Sequence, residues 1–236
     1  MRLGITRSAK DLGDILERTQ TKELRIVPLP LVTYTPVDFH LPNEMRPQAS
    51  DWLIFTSPRG VDYFIGLLGT NGIQLSKGVK IGVVGARTAE AVKKYGFAVA
   101  FLPSIATSEI LFEEFISQHP GFSGKVLYAS ASDISFDPEK LFCQAGINYL
   151  RLIVYHSQPA GLKVEVLSQF SGDDAILFTS PMAVKVFAQN HGVPIPRAIA
   201  IGIVTERAMK EQGWEVESVL TEPNIQRAVN EIGAAI

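Results

Sequence analysis

Two five-stranded parallel sheets, each carrying helices, are predicted for this chain by three observations. Phe55-Thr56-Ser57-Pro58 recurs as Phe178-Thr179-Ser180-Pro181, an offset of 123 residues (179 − 56). Strand-like apolar runs alternate with helix-like ones along the whole sequence, which is the pattern of parallel α/β folds. The strand-like runs number ten and divide into two sets of five.

In chain order, Leu3–Thr6 and Leu24–Pro28 read as strands around a helical stretch, Ala9–Arg18. Leu29–Pro36 carries prolines, which cannot donate to a central ladder, and reads as a crossing between domains. Asp51 heads the run Trp52-Leu53-Ile54, giving a strand over Leu53–Phe55. Ser57 is a good N-cap and Pro58 suits the first helical position; Val61, Phe64, Ile65 and Leu68 follow at helical spacing. Lys80–Val84 and Ala98–Leu102 read as strands, the first ending in Gly85-Ala-Arg-Thr88. Helices are expected at Ser108–Ser117 and Pro138–Ala145, with strands at Lys125–Ala129 and Tyr149–Val154. Tyr155–Pro159 is the second crossing. Asp174 then heads Ala175–Phe178, and Val184, Phe187 and Ala188 mark the next helix. Ala198–Ile201 ends in Gly202-Ile-Val-Thr205, an echo of the earlier Gly-x-x-Thr turn, and Gly213 echoes Gly96. Glu215–Leu220 is the tenth strand.

Five of these strands lie between about Asp51 and Tyr155, two precede them and three follow. The simplest assembly is a continuous domain, 36–156, and a discontinuous one, 1–34 plus 159–236. Two short crossings predict a hinged pair that closes on a ligand.

Composition narrows the function. At 46% hydrophobic and 19% charged the chain reads as an ordinary soluble protein. A net charge of −2 and the lack of a basic stripe argue against nucleic acid. No run approaches the ~20 apolar residues of a membrane span, and Met1–Arg7 turns polar too soon for a signal peptide. A single cysteine, Cys143, excludes an internal disulfide and predicts a cytoplasmic protein; in Leu141-Phe-Cys-Gln-Ala it reads as a buried thiol. Four scattered histidines offer no metal-ligand spacing, so no metal is expected. Gly82-Val-Val-Gly85 lacks the glycines of a dinucleotide fingerprint.

Ligands of open parallel sheets bind outside the carboxyl ends of the strands. Both Thr-Ser-Pro turns and both Gly-x-x-Thr turns fall at such ends. If those ends face one another, Thr56, Ser57, Thr88, Ser180 and Thr205 line a cleft with helix N-terminal amides, an environment for anions.

Those motifs, in that order, resemble the uroporphyrinogen-III synthase family. The likeness runs from Ile5-Thr6-Arg7 and Pro28-Leu-Pro30 through Asp51-x4-Thr56-Ser57-Pro58-Arg59 and Gly85-x-x-Thr88-Ala89. It continues with Thr107-Ser108-Glu109-Ile110-Leu111, Val154-Tyr155, Phe178-Thr179-Ser180-Pro181 and Gly202-x-x-Thr205. Ser130-Ala131-Ser132-Asp133 and Glu206-Arg207 depart from the family pattern. The resemblance implies two flavodoxin-like, doubly wound, parallel five-stranded domains joined by a two-segment linker. It implies cyclisation of hydroxymethylbilane to uroporphyrinogen III, with inversion of the terminal pyrrole and loss of water. No cofactor is implied. Tyr155 matches the family's candidate for the catalytic donor, and Arg7 and Arg59 could pair with substrate carboxylates beside the five hydroxyl residues. The upstream bilane-forming enzyme is a conceivable partner, no membrane partner is expected, and two domains clamping one ligand predict a monomer. The alternative is a non-enzymatic tetrapyrrole-binding or regulatory protein of the same fold.

Overall fold

Apolar runs closed off by Gly, Pro and Ser/Thr turns become short strands, and the capped amphipathic stretches between them become helices. The computed structural model describes residues 1–18, 23–38, 40–49, 51–76, 78–161, 164–191 and 197–234. Along the chain run β1 (Arg2–Ile5), α1 (Ala9–Leu12), α2 (Asp14–Arg18), β2 (Arg25–Pro28), β3 (Val32–Pro36), β4 (Trp52–Phe55) and α3 (Pro58–Thr70). There follow β5 (Lys80–Val83), α4 (Ala86–Lys94), α5 (Ser108–Gln118), β6 (Lys125–Ala131), α6 (Glu139–Gln144) and β7 (Asn148–Pro159). The last elements are α7 (Val164–Leu167), β8 (Ala175–Phe178), α8 (Pro181–His191), β9 (Arg197–Ala200), α9 (Ile203–Glu211), β10 (Ser218–Val219) and α10 (Ile225–Ala234).

Two compact units result. One comprises Met1–Thr33 and Gln158–Ile236, the other Tyr34–Ser157. The first carries a five-stranded sheet ordered β10-β9-β8-β1-β2, parallel throughout. The second is ordered β3-β7-β6-β4-β5, with β7, β6, β4 and β5 parallel.

The two sheets repeat one plan that the chain enters at different points. Val126 of β6 pairs with Trp52 and with Tyr149; 123 residues earlier, Leu3 of β1 pairs with Ala175 and Ile26, so β1 and β2 take the places of β6 and β7 but precede β8 in sequence, where β6 and β7 follow β4. Strand alternation then splits each core in two. Leu53 and Phe55 pack with α3 and α4, while Trp52 and Ile54 pack with α5 and α6. In the other unit Ile176 and Phe178 join α8 and α9, and Ala175 and Leu177 join α1 and α10. The same aromatic contact anchors both halves: Phe55 against Phe64 at 5.7 Å and Phe178 against Phe187 at 5.3 Å, each edge-on.

The acids that head β4 and β8 are buried and act as local staples. Asp51 accepts from the Gln48 and Lys125 amides at 2.7 and 3.1 Å, with the Lys125 ammonium 3.8 Å away. Asp174 accepts from the Ser171 and Arg2 amides at 2.8 and 2.5 Å, with the Arg2 guanidinium at 3.4 Å. Burial alone would raise the Asp174 pKa, but these hydrogen bonds outweigh it and hold the carboxyl below the ordinary aspartate range.

Several sequence expectations are corrected. Ala98–Leu102 forms a single parallel bridge, Gly82 to Phe101, because Pro103 removes the next donor and ends the ladder. The fifth strand of that sheet is instead β3, inside the segment read as a crossing; its proline closes an edge strand, where it costs no ladder bond. Tyr155–Pro159 likewise continues β7. Glu215–Leu220 narrows to Ser218–Val219. Ala9–Arg18 divides into α1 and α2 at Gly13, whose φ of 41° leaves the helical region. Cys143 is exposed, because Phe142 takes the inward position on α6 and the next residue turns ~100° away. Among the described residues, no helix is long and apolar enough to cross a membrane.

Candidate functional site

The turn after β4 is fixed by its own sequence. Ser57 is extended, and its hydroxyl accepts from the Gly60 amide at 3.0 Å, capping α3 with Pro58 inside the first turn. Gly60 is needed for close approach. A Cβ there would stand 3.0 Å from the Ala129 carbonyl oxygen, so glycine lets the helix start rest on the end of β6. The hydroxyls on either side of this turn reach phenols: Thr56 Oγ1 lies 2.8 Å from Tyr128 Oη, and Ser57 Oγ lies 3.2 Å from Tyr155 Oη.

Tyr155, on β7, is only 6% exposed. Tyr63 of α3 stacks on its ring at 5.0 Å with 27° between planes, and Tyr34 of β3 meets it edge-on at 5.9 Å. The Tyr63 hydroxyl donates to the Tyr34 carbonyl at 3.2 Å. Arg59 lays its guanidinium over the Tyr34 ring, 3.9 Å from the centroid. Burial raises the Tyr155 pKa above its usual value, against a lowering by the Ser57 hydrogen bond. The phenol is therefore neutral at pH 7 and carries a proton to donate. Ser57, already accepting from Gly60, can still donate to Tyr155 Oη; in that orientation the phenol proton is left for a third group. Tyr128 is pushed up to about 12, chiefly by burial, and is also neutral.

In the other unit the equivalent turn uses hydroxyls alone. Ser180 caps α8 by accepting from the Ala183 amide at 3.2 Å. Thr179 donates through its amide to Thr6 Oγ1 at 2.8 Å and through its hydroxyl to the Thr6 carbonyl at 3.0 Å. Arg7, next along, is half-buried. Gly85 and Gly202 are both extended and lead directly into α4 and α9. Thr88 and Thr205 sit in the first turns of those helices but point inward, 2% and 3% exposed. The exposed residues at these helix starts are Ala86 and Arg87 in one unit, Ile203 and Val204 in the other.

Of the residues singled out by sequence, the structure gathers Ser57, Arg59 and Tyr155 into one cluster, with Thr56 beside it on Tyr128. Thr88 lies in the same unit at the end of β5. Arg7, Ser180 and Thr205 belong to the other unit. Sequence reasoning gave Tyr34 no functional role and passed over Tyr63 and Tyr128. One signal for Tyr63 was present: it stands four residues after Arg59 on a capped helix, hence on the same face.

Such a chain falls into a definite class, α/β proteins with two parallel-dominated five-stranded sheets whose strand ends carry hydroxyl-capped helix starts. Two solved structures share that fold. A mutant uroporphyrinogen III synthase from the extremely thermophilic bacterium Thermus thermophilus superimposes with a TM-score of 0.68 at 18% identity, covering 100% of this chain and 98% of that one. The uroporphyrinogen-III synthetase of Helicobacter pylori 26695 gives 0.66 at 20% identity, covering 100% and 99%. The porphyrin biosynthesis protein HemD of Ruminiclostridium josui is 24% identical over 229 residues, 92% of this chain; the chain spans about half of that relative's length, 45%. The family model described as uroporphyrinogen-III synthase HemD matches residues 14–230. This chain belongs to the uroporphyrinogen-III synthase family.

Proposed function

We propose that the protein is a uroporphyrinogen-III synthase, a carbon–oxygen lyase that cyclises hydroxymethylbilane with inversion of its last ring. The observation that carries this reading is the family match across residues 14–230. In the reaction, hydroxide leaves the terminal hydroxymethyl group with a donated proton, as water. The substituted carbon of the far ring attacks the resulting azafulvene-like cation to give a spiro intermediate. That intermediate fragments and recloses, and loss of the ring-carbon proton restores the pyrrole. Uncatalysed closure gives the uninverted isomer, so the protein's work is orientation together with assistance to the leaving oxygen.

Tyr155 is the proton donor in this reading: neutral, buried and hydrogen-bonded to Ser57 at 3.2 Å. The donors proposed for the substrate carboxylates are helix N-terminal amides and Arg7, Thr56, Ser57, Arg59, Thr88, Ser180 and Thr205. Because Thr88 and Thr205 point inward, their first contribution is to the shape of the turns, and the amides beside them meet the ligand. In this reading both domains are flavodoxin-like, the discontinuous 1–34 plus 159–236 and the continuous 36–156. The protein works in the cytoplasm as a monomer, without a cofactor.

Freshly generated hydroxymethylbilane, incubated with the protein and resolved into isomers I and III after oxidation, tests the assignment. Isomer III is expected without added metal or nucleotide. Isomer I alone, at the spontaneous rate and from folded protein, rejects it in favour of a non-enzymatic tetrapyrrole binder.

A further inference from the structure

The internal repeat supplies a control for the residues around Tyr155. On the 123-residue offset that strands β4 and β8 and the Ser57 and Ser180 caps keep, Tyr63 corresponds to Val186 and Arg59 to Met182. Val186 is buried, and Met182 packs against the same core. The scaffold therefore closes at these two positions with Val and Met side chains. A stacking tyrosine and a guanidinium are not what the fold requires there.

We infer that Tyr63 and Tyr34 are positioning residues that hold the Tyr155 phenol in its reactive orientation. This rests on the synthase reading for what the phenol does, though not for how it is held. Tyr63 covers one face of the Tyr155 ring and Tyr34 meets its edge, so rotation of the ring about its side-chain torsions is blocked from both directions. The two supports are coupled: the Tyr63 hydroxyl holds the backbone of Tyr34, and so fixes edge strand β3 to α3. Arg59, one turn before Tyr63, lies across the face of the Tyr34 ring. Ser57 meets the phenol because α3 presents its cap there, and Tyr63 rides on the same helix. A single rigid element thus sets both the hydroxyl partner and the stacking partner of the donor. The groups bearing on the phenol electrostatically are Tyr34 from β3, Arg59 and Tyr63 from α3, and Tyr128 from β6.

The test reads the phenol directly and then the chemistry. Carbon-13 tyrosine NMR of the full chain, with the Tyr155 signal assigned from Tyr155→Phe, gives the titration of that one hydroxyl. Tyr63→Leu opens the ring face to water, so its titration is expected to fall toward the ordinary value of ~10. With protein in excess over bilane, on-enzyme errors are separated from background closure. There Tyr63→Leu is expected to leak isomer I and to lose ~10-fold in turnover, with KM changed less. Tyr63→Phe keeps the stack and should recover most of both. Val186→Ala removes packing at the corresponding position in the other unit and should lower stability while leaving the isomer ratio alone. Should Tyr63→Leu not fold, Tyr34→Leu, at a half-buried edge position, is expected to move the titration in the same direction. A folded variant with an unchanged Tyr155 titration overturns the inference, as does a shifted titration with wild-type turnover and isomer ratio. A wild-type protein that yields only isomer I overturns the synthase reading instead, and the titration alone then decides whether these tyrosines hold the phenol.

Discussion

The two units share a scaffold and differ in what they set on it. Both put a buried aspartate at the head of the strand that leads into the repeated turn, β4 or β8, a phenylalanine at its end, a serine cap, and a glycine that leads into the next helix. At the position three residues after the cap, the continuous unit has Gly60 and the discontinuous one Ala183, which is wholly buried. Around that turn the continuous unit places Tyr34, Tyr63, Tyr128 and Tyr155, while the discontinuous one is closed by Thr6 and Val186. The framework residues serve stability and repeat. The phenols appear once, in the continuous unit, and on the proposed reading one of them is the proton donor; duplication thus sets what the fold repeats apart from what it does not.

Four measurements bear on that contrast, and the largest effect belongs to the shared part. Phe55→Ala and Phe178→Ala each remove a fully buried ring and should each cost ~3–5 kcal/mol in denaturant unfolding. Similar losses support one scaffold used twice, and a much smaller loss in one unit would break the equivalence. Tyr155→Phe keeps the ring but removes the donor. Turnover to isomer III should fall ~10–10²-fold with little change in product binding. Wild-type turnover from that variant would remove the chemical distinction between the units.

Ser57→Ala and Ser180→Ala each delete a helix cap and should lower stability by ~1 kcal/mol in thermal melts. Only Ser57→Ala removes the hydrogen bond to Tyr155, so turnover normalised to folded protein should drop further for it; equal drops would place the chemistry in both units. The smallest effect concerns acid. The Asp174 carboxyl is held below its ordinary value. Its contribution is therefore fully present above the unfolded value of ~3.9 and is lost as pH falls through the folded value. Asp174→Asn should flatten that part of the stability curve below about pH 4. An unchanged acid limb would show that other carboxylates govern it.

Legibility in the sequence followed the same division. The N-caps at Ser57 and Ser180 and the buried strands around them were readable because caps and apolar runs are local, and each is set within a few residues. The edges were not. Val32–Pro36 and Ala98–Leu102 look alike as short β-rich pieces near proline. Which of them joins the sheet is decided by pairing with a strand more than a hundred residues away in one case, and by Pro103 in the other. Cys143 was misplaced because an apolar residue beside Phe142 can turn either way until the helix phase is known.

The sequence by itself determined the two-sheet α/β architecture, the pairing of its turns, and Ser57, Arg59 and Tyr155 as residues of interest. Cap, proline, glycine and strand period act over short range, and the repeated phrase gave them a second reading. Only the tertiary structure decided that these three side chains meet, that Tyr34 and Tyr63 hold the phenol between them, and that Thr88 and Thr205 face inward. Residues 34, 63 and 155 come together through the register of an edge strand and the seating of a helix on a glycine, and those are contacts that no local preference encodes.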